Sequence, residues 1–271
     1  MRLDGKKLSA GNANDGCAVL AEKVAGSADK AVELMNSRAK MLGMNGTVYT
    51  DCTGMGEGNV TTAKDTALLC SELAKYKNLT PYLTCWLDTV RDGKAELVNL
   101  NRLVRTYKGV TGMKAWGSEK AGSCIAATAE KGDMSVCVVL NGCDSQEDMN
   151  TEAKKLLNLA FDTYEIYTPE LPEDMVKKTV VCGGEELSVE LAPEGLYPIV
   201  IPRGTYRMVE CDFTAEEKLD APVKNGETAG EIRYTMGGEV ILEGKIVACK
   251  EVKKMNFICG IKKLVYNLLS M

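Results

Sequence analysis

Gly109-Val-Thr-Gly112-Met-Lys114-Ala115-Trp116-Gly117-Ser-Glu-Lys-Ala121-Gly122-Ser-Cys124 sets Lys114 among four glycines, and a run with strand character follows it. Ile125 to Ala129 is small and apolar, Glu130 to Asp133 has turn composition, and Ser135 to Leu140 is rich in valine. Turn, strand, tight turn, strand is the pattern of a hairpin. Glycines this dense let a backbone edge approach a ligand or another element closely.

Outward from this stretch, Asn14 and Asp15 open a helix through Cys17, Val19, Leu20 and Val24, which Gly26 breaks. Ser27 caps a second helix carrying Val32, Leu34, Met35 and Leu42 and closed by Gly43. Thr47 to Tyr49 reads as a short strand and Asp51 to Gly58 as a glycine-rich loop. Thr61 to Tyr76 is a third helix, capped by Thr61 or Thr62. Arg91-Asp-Gly-Lys94 is a turn between strands Tyr82–Val90 and Ala95–Leu100. Ser145 to Tyr164 is a helix whose Met149, Ala153, Leu156, Leu157 and Phe161 share one face. Tyr167 to Met175, with two prolines, is a linker. Short alternating strands with glycine turns fill 176–250, the spacing of a small β sandwich. Phe257, Ile258, Ile261, Leu264, Val265, Leu268 and Leu269 then line one face of an amphipathic terminal helix.

The chain of 271 residues has no histidine, which excludes Ser-His-Asp and Cys-His catalysis and histidine metal sites. Neither a cofactor nor a metal is expected. A net charge of -5 argues against nucleic acid as partner. Eleven cysteines without a Cys-x-x-Cys pair read as small buried residues rather than a disulfide scaffold. Met1 to Lys7 holds no apolar h-region, so no signal peptide is expected in the chain as given. No window of about eighteen apolar residues is present to span a membrane.

Several stretches together resemble the low-molecular-weight penicillin-binding D-alanyl-D-alanine carboxypeptidases. Lys114 matches the lysine of that family's Lys-Thr-Gly strand, and Ala121-Gly122-Ser123-Cys124 matches the turn after it. Ala115 and Trp116 stand where threonine and glycine are expected. Asn12-Ala13-Asn14 resembles the Ser-x-Asn loop, with Asn14 at the asparagine and Asn12 in place of the serine. Met35-Asn36-Ser37-Arg38-Ala39-Lys40-Met41-Leu42-Gly43, Asp51-Cys52-Thr53-Gly54-Met55, Thr61-Thr62-Ala63-Lys64-Asp65 and Asn99-Leu100-Asn101-Arg102-Leu103 are similar to other family motifs in the same order. Leu196-Tyr197 and Ala221 to Glu227 resemble its C-terminal domain.

The resemblance implies an α/β penicillin-binding, β-lactamase-like domain over 1–165 that is N-terminally incomplete. A β-sandwich domain over 170–252 and a membrane-surface helix over 255–271 follow. It implies catalytic roles for Asn12, Asn14 and Lys114 and substrate contacts at Ala115, Trp116 and Gly117. Asn14 would position a peptidoglycan stem peptide ending in D-Ala-D-Ala, and Lys114 would hold its carboxylate or assist proton transfer. The family nucleophile sits in a Ser-x-x-Lys helix upstream of the Ser-x-Asn loop, where this chain has thirteen residues before Asn14. Ser27–Lys30 and Ser37–Lys40 fit that pattern only downstream. The chain as written is therefore expected to lack the serine, and β-lactams are expected as ligands only if a nucleophile is present. Two functions follow: an extracytoplasmic, membrane-associated serine-type carboxypeptidase, or an inactive homologue binding peptidoglycan or a protein at the membrane surface. An incomplete domain is also expected to expose a sheet edge and apolar surface.

Overall fold

The computed structural model describes residues 14–90, 95–173, 175–257 and 261. Two compact units divide between Thr163 and Tyr164.

The N-terminal unit begins with helices α1 (Asn14–Ala25) and α2 (Ala28–Met41). Ser27 caps α2, its Oγ accepting from the Lys30 amide, and Gly43 beyond the helix has φ +75°. The strand expected at Thr47–Tyr49 is instead a single bridge, Val48 to Val60. A side chain accounts for this: Asn36 on α2 accepts from the Tyr49 amide and donates to the Tyr49 carbonyl, at 2.9 and 2.7 Å. Both polar groups of Tyr49 are thus bonded off any ladder.

Helix α3 (Ala63–Ala74) starts at Thr62, whose hydroxyl accepts from the Asp65 amide. The buried Asp65 carboxylate accepts from the Gly46 amide and the Thr47 hydroxyl, tying the start of α3 to the loop after α2. These bonds, the Thr47 hydroxyl foremost, hold its pKa below the usual carboxylate range.

A four-residue helix, α4 (Thr80–Leu83), occupies the start of the strand expected from Tyr82, with Pro81 in its first turn. The hairpin itself pairs β1 (Leu87–Val90) with β2 (Ala95–Val98); its turn at 91–94 lies outside the described residues. After the short α5 (Leu103–Thr106) come β3 (Val110–Ser118), β4 (Gly122–Lys131) and β5 (Met134–Cys143), an antiparallel sheet in that order. The glycine-dense stretch read as a turn is therefore mostly strand, and the chain reverses at 119–121. Gly122 needs its freedom: φ is +64°, and a Cβ there would lie 2.9 Å from the Cys143 carbonyl oxygen.

Helix α6 (Gln146–Thr163) packs on β4 and β5 and buries Met149, Ala153, Leu157 and Phe161. Leu156, expected on that face, is exposed. The buried four step by i+4 along one stripe, and Leu156 falls to its side. On the other face of the sheet, Cys70 of α3 forms a small cluster with Met113 and Ala126, against which Trp116, Cys137 and Val139 pack.

The C-terminal unit opens with β6 (Tyr164–Tyr167), so strand runs to the start of the expected linker; it pairs with β9 (Ile199–Pro202). Strands β7 (Lys178–Cys182), β8 (Ser188–Glu194), β10 (Val209–Ala215), β11 (Lys218–Asp220), β12 (Thr228–Met236) and β13 (Glu239–Ala248) form one sheet, ordered β10-β12-β13-β8-β7-β11. Period-2 burial in β12 sends Ile232 and Tyr234 into a core with Val189, Ile246 and Val252, which Ala229 joins across a register shift at 228–230. The terminal helix lies almost wholly outside the described residues. Among the described residues, no helix is long and apolar enough to cross a membrane.

Candidate active site

Strand β3 is an edge. Among the described residues it pairs only with β4, so on its other side alternate residues turn N–H and C=O outward. Lys114 lies mid-strand, opposite Ala126, and is partly buried. Alternation puts Trp116 on the Lys114 face and Ala115 on the reverse. Ala115 is 2% exposed, so its methyl belongs to the core and only its backbone is available at the edge. Trp116 is partly buried beside Lys114, and Gly117 is exposed.

Helix α1 brings its first turn to this strand. Cys17 interacts with Lys114, and Asn14 is one turn earlier on the same helical face. Burial pushes the Lys114 pKa down, and the neighbouring Cys17 partly counters it. Burial likewise pushes the Cys17 thiol up, while Lys114 pulls it down and Cys52 adds to the rise. An amine with weakened hold on its proton, against a thiol, can exchange a proton or bind an anion.

The loop at 51–58 closes the third side. Asp51 accepts from the Thr53 hydroxyl and the amides of Thr53, Gly54 and Gly56, at 2.7 to 2.9 Å, and Asn59 donates to it as well. The Thr53 hydroxyl is the largest cause holding the Asp51 carboxyl far below its ordinary value. A loop fixed this way places Met55, whose sulfur accepts from Asn14 Nδ2 at 2.7 Å, and Cys52 beside Cys17. Lys120, in the turn after β3, pairs with Glu57 of the loop at 2.6 Å.

The structure thus brings the first turn of α1 to Lys114 through Cys17, with Trp116 and Gly117 following on the same strand, while the Asn14 side chain bonds Met55. Asn12 lies outside the described residues. Ser27 is spent as a helix cap and Ser37 is exposed on α2. Cys17, Met55 and Asp51 were not singled out from sequence. The i, i+3 spacing of Cys17 from Asn14 was a usable sign; the Asn14–Met55 contact had none.

The family model for D-alanyl-D-alanine carboxypeptidase matches residues 6–144, and that for the penicillin-binding protein 5 C-terminal domain matches 161–254. The chain belongs to the D-alanyl-D-alanine carboxypeptidase family. Carboxypeptidase DacF of Bacillus subtilis is 31% identical over 95% of this chain and 68% of its own length. Carboxypeptidase DacC of Escherichia coli is 30% identical over 90% of this chain, which spans 62% of that relative. The solved structure of penicillin binding protein 5 from Haemophilus influenzae superposes with a TM-score of 0.78, at 23% identity, covering 92% of this chain and 73% of that one. The fold is accordingly the mixed α/β penicillin-binding fold with the C-terminal β domain of this carboxypeptidase family.

Proposed function

We propose that this chain acts on peptidoglycan stem peptides as a serine-type D-alanyl-D-alanine carboxypeptidase, outside the cytoplasm where those peptides are exposed. The observation that carries the reading is the meeting of Lys114, on an open strand edge, with the first turn of the helix that begins at Asn14. The stem peptide lies along β3 as an added strand. Asn14 hydrogen-bonds its backbone, and Lys114 holds its terminal carboxylate or moves a proton during amide cleavage. In the full protein a serine that is not among those of this chain attacks the terminal amide and expels D-alanine; water then releases the acyl group. Neither Ser27 nor Ser37 suits that role, given their positions on α2. Asn12, in the serine position of the Ser-x-Asn loop, contributes a hydrogen bond in this reading.

A second reading draws on two residues. The Ala115 methyl is buried and offers no hydroxyl, and Trp116 narrows the Lys114 face. Both suit a homologue that holds stem peptides without cleaving them, through the strand backbone. The 255–271 segment, with Lys253 and Lys254 before it, anchors either form at a membrane surface.

Intact mass of the full protein after benzylpenicillin treatment separates the two. One acyl adduct, its rate lowered about a hundredfold by Lys114→Ala and changed less than about twofold by Lys155→Ala on the exposed face of α6, supports the carboxypeptidase. No adduct, with reversible binding of a D-Ala-D-Ala-ended pentapeptide, supports the second reading; no adduct and no binding overturns both.

A further inference from the structure

On the sheet face away from α6, two thiols meet across the α3–β5 contact. Cys70 of α3 is buried, and Cys137 of β5 packs against it. The thiols are in hydrogen-bonding contact, Cys70 donating and Cys137 accepting; this raises the Cys70 pKa and lowers that of Cys137. Cys137 also borders a cavity of about 350 Å³, with Ser71 and Ala74 on the helix side and Thr128 and Ser135 on the sheet side. Lys75 and Lys77 stand at its mouth, both exposed. Each is already paired, Lys75 with Glu72 and Lys77 with Glu130, so the entrance offers little net charge.

We propose that Cys137 is a modification site for small uncharged disulfides entering this cavity, with Cys70 as the resolving thiol. The Cys137 thiolate attacks one sulfur of R–S–S–R, forming a mixed disulfide and expelling R–S⁻, which takes up the proton that Cys137 lost. The Cys70 thiolate then attacks Cys137 Sγ, expelling the second R–S⁻, which is protonated in turn. Two protein thiols are oxidised and one small disulfide is reduced to two thiols, so atoms and electrons balance. Once Cys137 carries the R–S group, its hydrogen bond from Cys70 is gone, and with it the largest cause that held the Cys70 proton in place. The product links α3 to β5. Exposed Cys182 and Cys249 also take up the reagent, as mixed disulfides.

The test treats the folded full chain with 2-hydroxyethyl disulfide and maps peptides without reduction. A Cys70–Cys137 cross-linked peptide, two hydrogens lighter than its parts, is expected, and dithiothreitol reverses it. In Cys70→Ala the Cys137 peptide instead carries one hydroxyethylthio adduct; in Cys137→Ala the Cys70 peptide stays unmodified. Near-UV circular dichroism selects variants that keep the native fold, and Cys70→Ser and Cys137→Ser replace any that do not. Adducts confined to Cys182 and Cys249, or modification of Cys70 in the absence of Cys137, overturns the proposal.

Discussion

The two units spend their apolar residues differently. In the C-terminal unit the strands converge on one cluster in which Val223, Ala229, Ile232, Tyr234 and Ile246 are all inaccessible to solvent. In the N-terminal unit, α1 and α2 carry Val24, Leu34 and Met41 at 76%, 54% and 73% exposure. Period-3.6 patterning marks those helices as amphipathic all the same. The contrast teaches that a periodic apolar face states a need for cover and does not name what covers it. Strand alternation inside one hydrogen-bonded sheet says more, because the register fixes which residues meet.

Truncating the C-terminal core is the sharpest way to break the comparison. Ile246→Ala is expected to cost the C-terminal unit about 2–5 kcal/mol, read by calorimetry as a drop in that unit's transition alone. A variant that lowers both transitions equally contradicts separate cores.

The two transitions should differ in their response to acid. Asp51 and Asp65 have folded pKa values below their unfolded ones, so their stabilisation is complete above about pH 4 and is lost as pH falls toward the folded values. Tyr167 and Tyr234 are raised, chiefly by burial. Their share is complete below about pH 10 and is lost as pH rises through the folded values. Acid is therefore expected to lower the N-terminal transition first, whereas alkali lowers both, because burial raises Tyr49 of the N-terminal unit as well; tyrosine absorbance during titration checks the second half.

Asn36→Ala removes the side chain bonded to both backbone groups of Tyr49 and is expected to cost about 1–3 kcal/mol, confined to the N-terminal transition. The smallest effect belongs to the exposed face. Leu34→Ser is expected to change stability by no more than about 0.5 kcal/mol while raising solubility; a larger loss shows that Leu34 is covered in solution.

Much of this was legible beforehand, for reasons that differ by element. Caps at Ser27 and Thr62 and the stripe through Met149, Ala153, Leu157 and Phe161 announce their helices, because local chemistry decides them. The strand expected at Thr47–Tyr49 fails because Asn36, remote in sequence, takes both Tyr49 backbone groups. Glycines at 109, 112 and 117 read as turn, yet most of that stretch is the edge strand β3; pairing with β4 overrides local preference. At the site, Asn14 and Lys114 were named from motif resemblance. Cys17 and Met55 were not, since a thiol and a thioether carry no polar signature in sequence.

The outer rim of β3 has a colloidal consequence. A row of outward amides and carbonyls accepts any extended chain, including another copy of the same protein. An extended peptide seated there occupies the positions that a second molecule would need. Saturating the rim should therefore raise the protein concentration at which turbidity begins, so a small peptide ligand would double as a formulation additive.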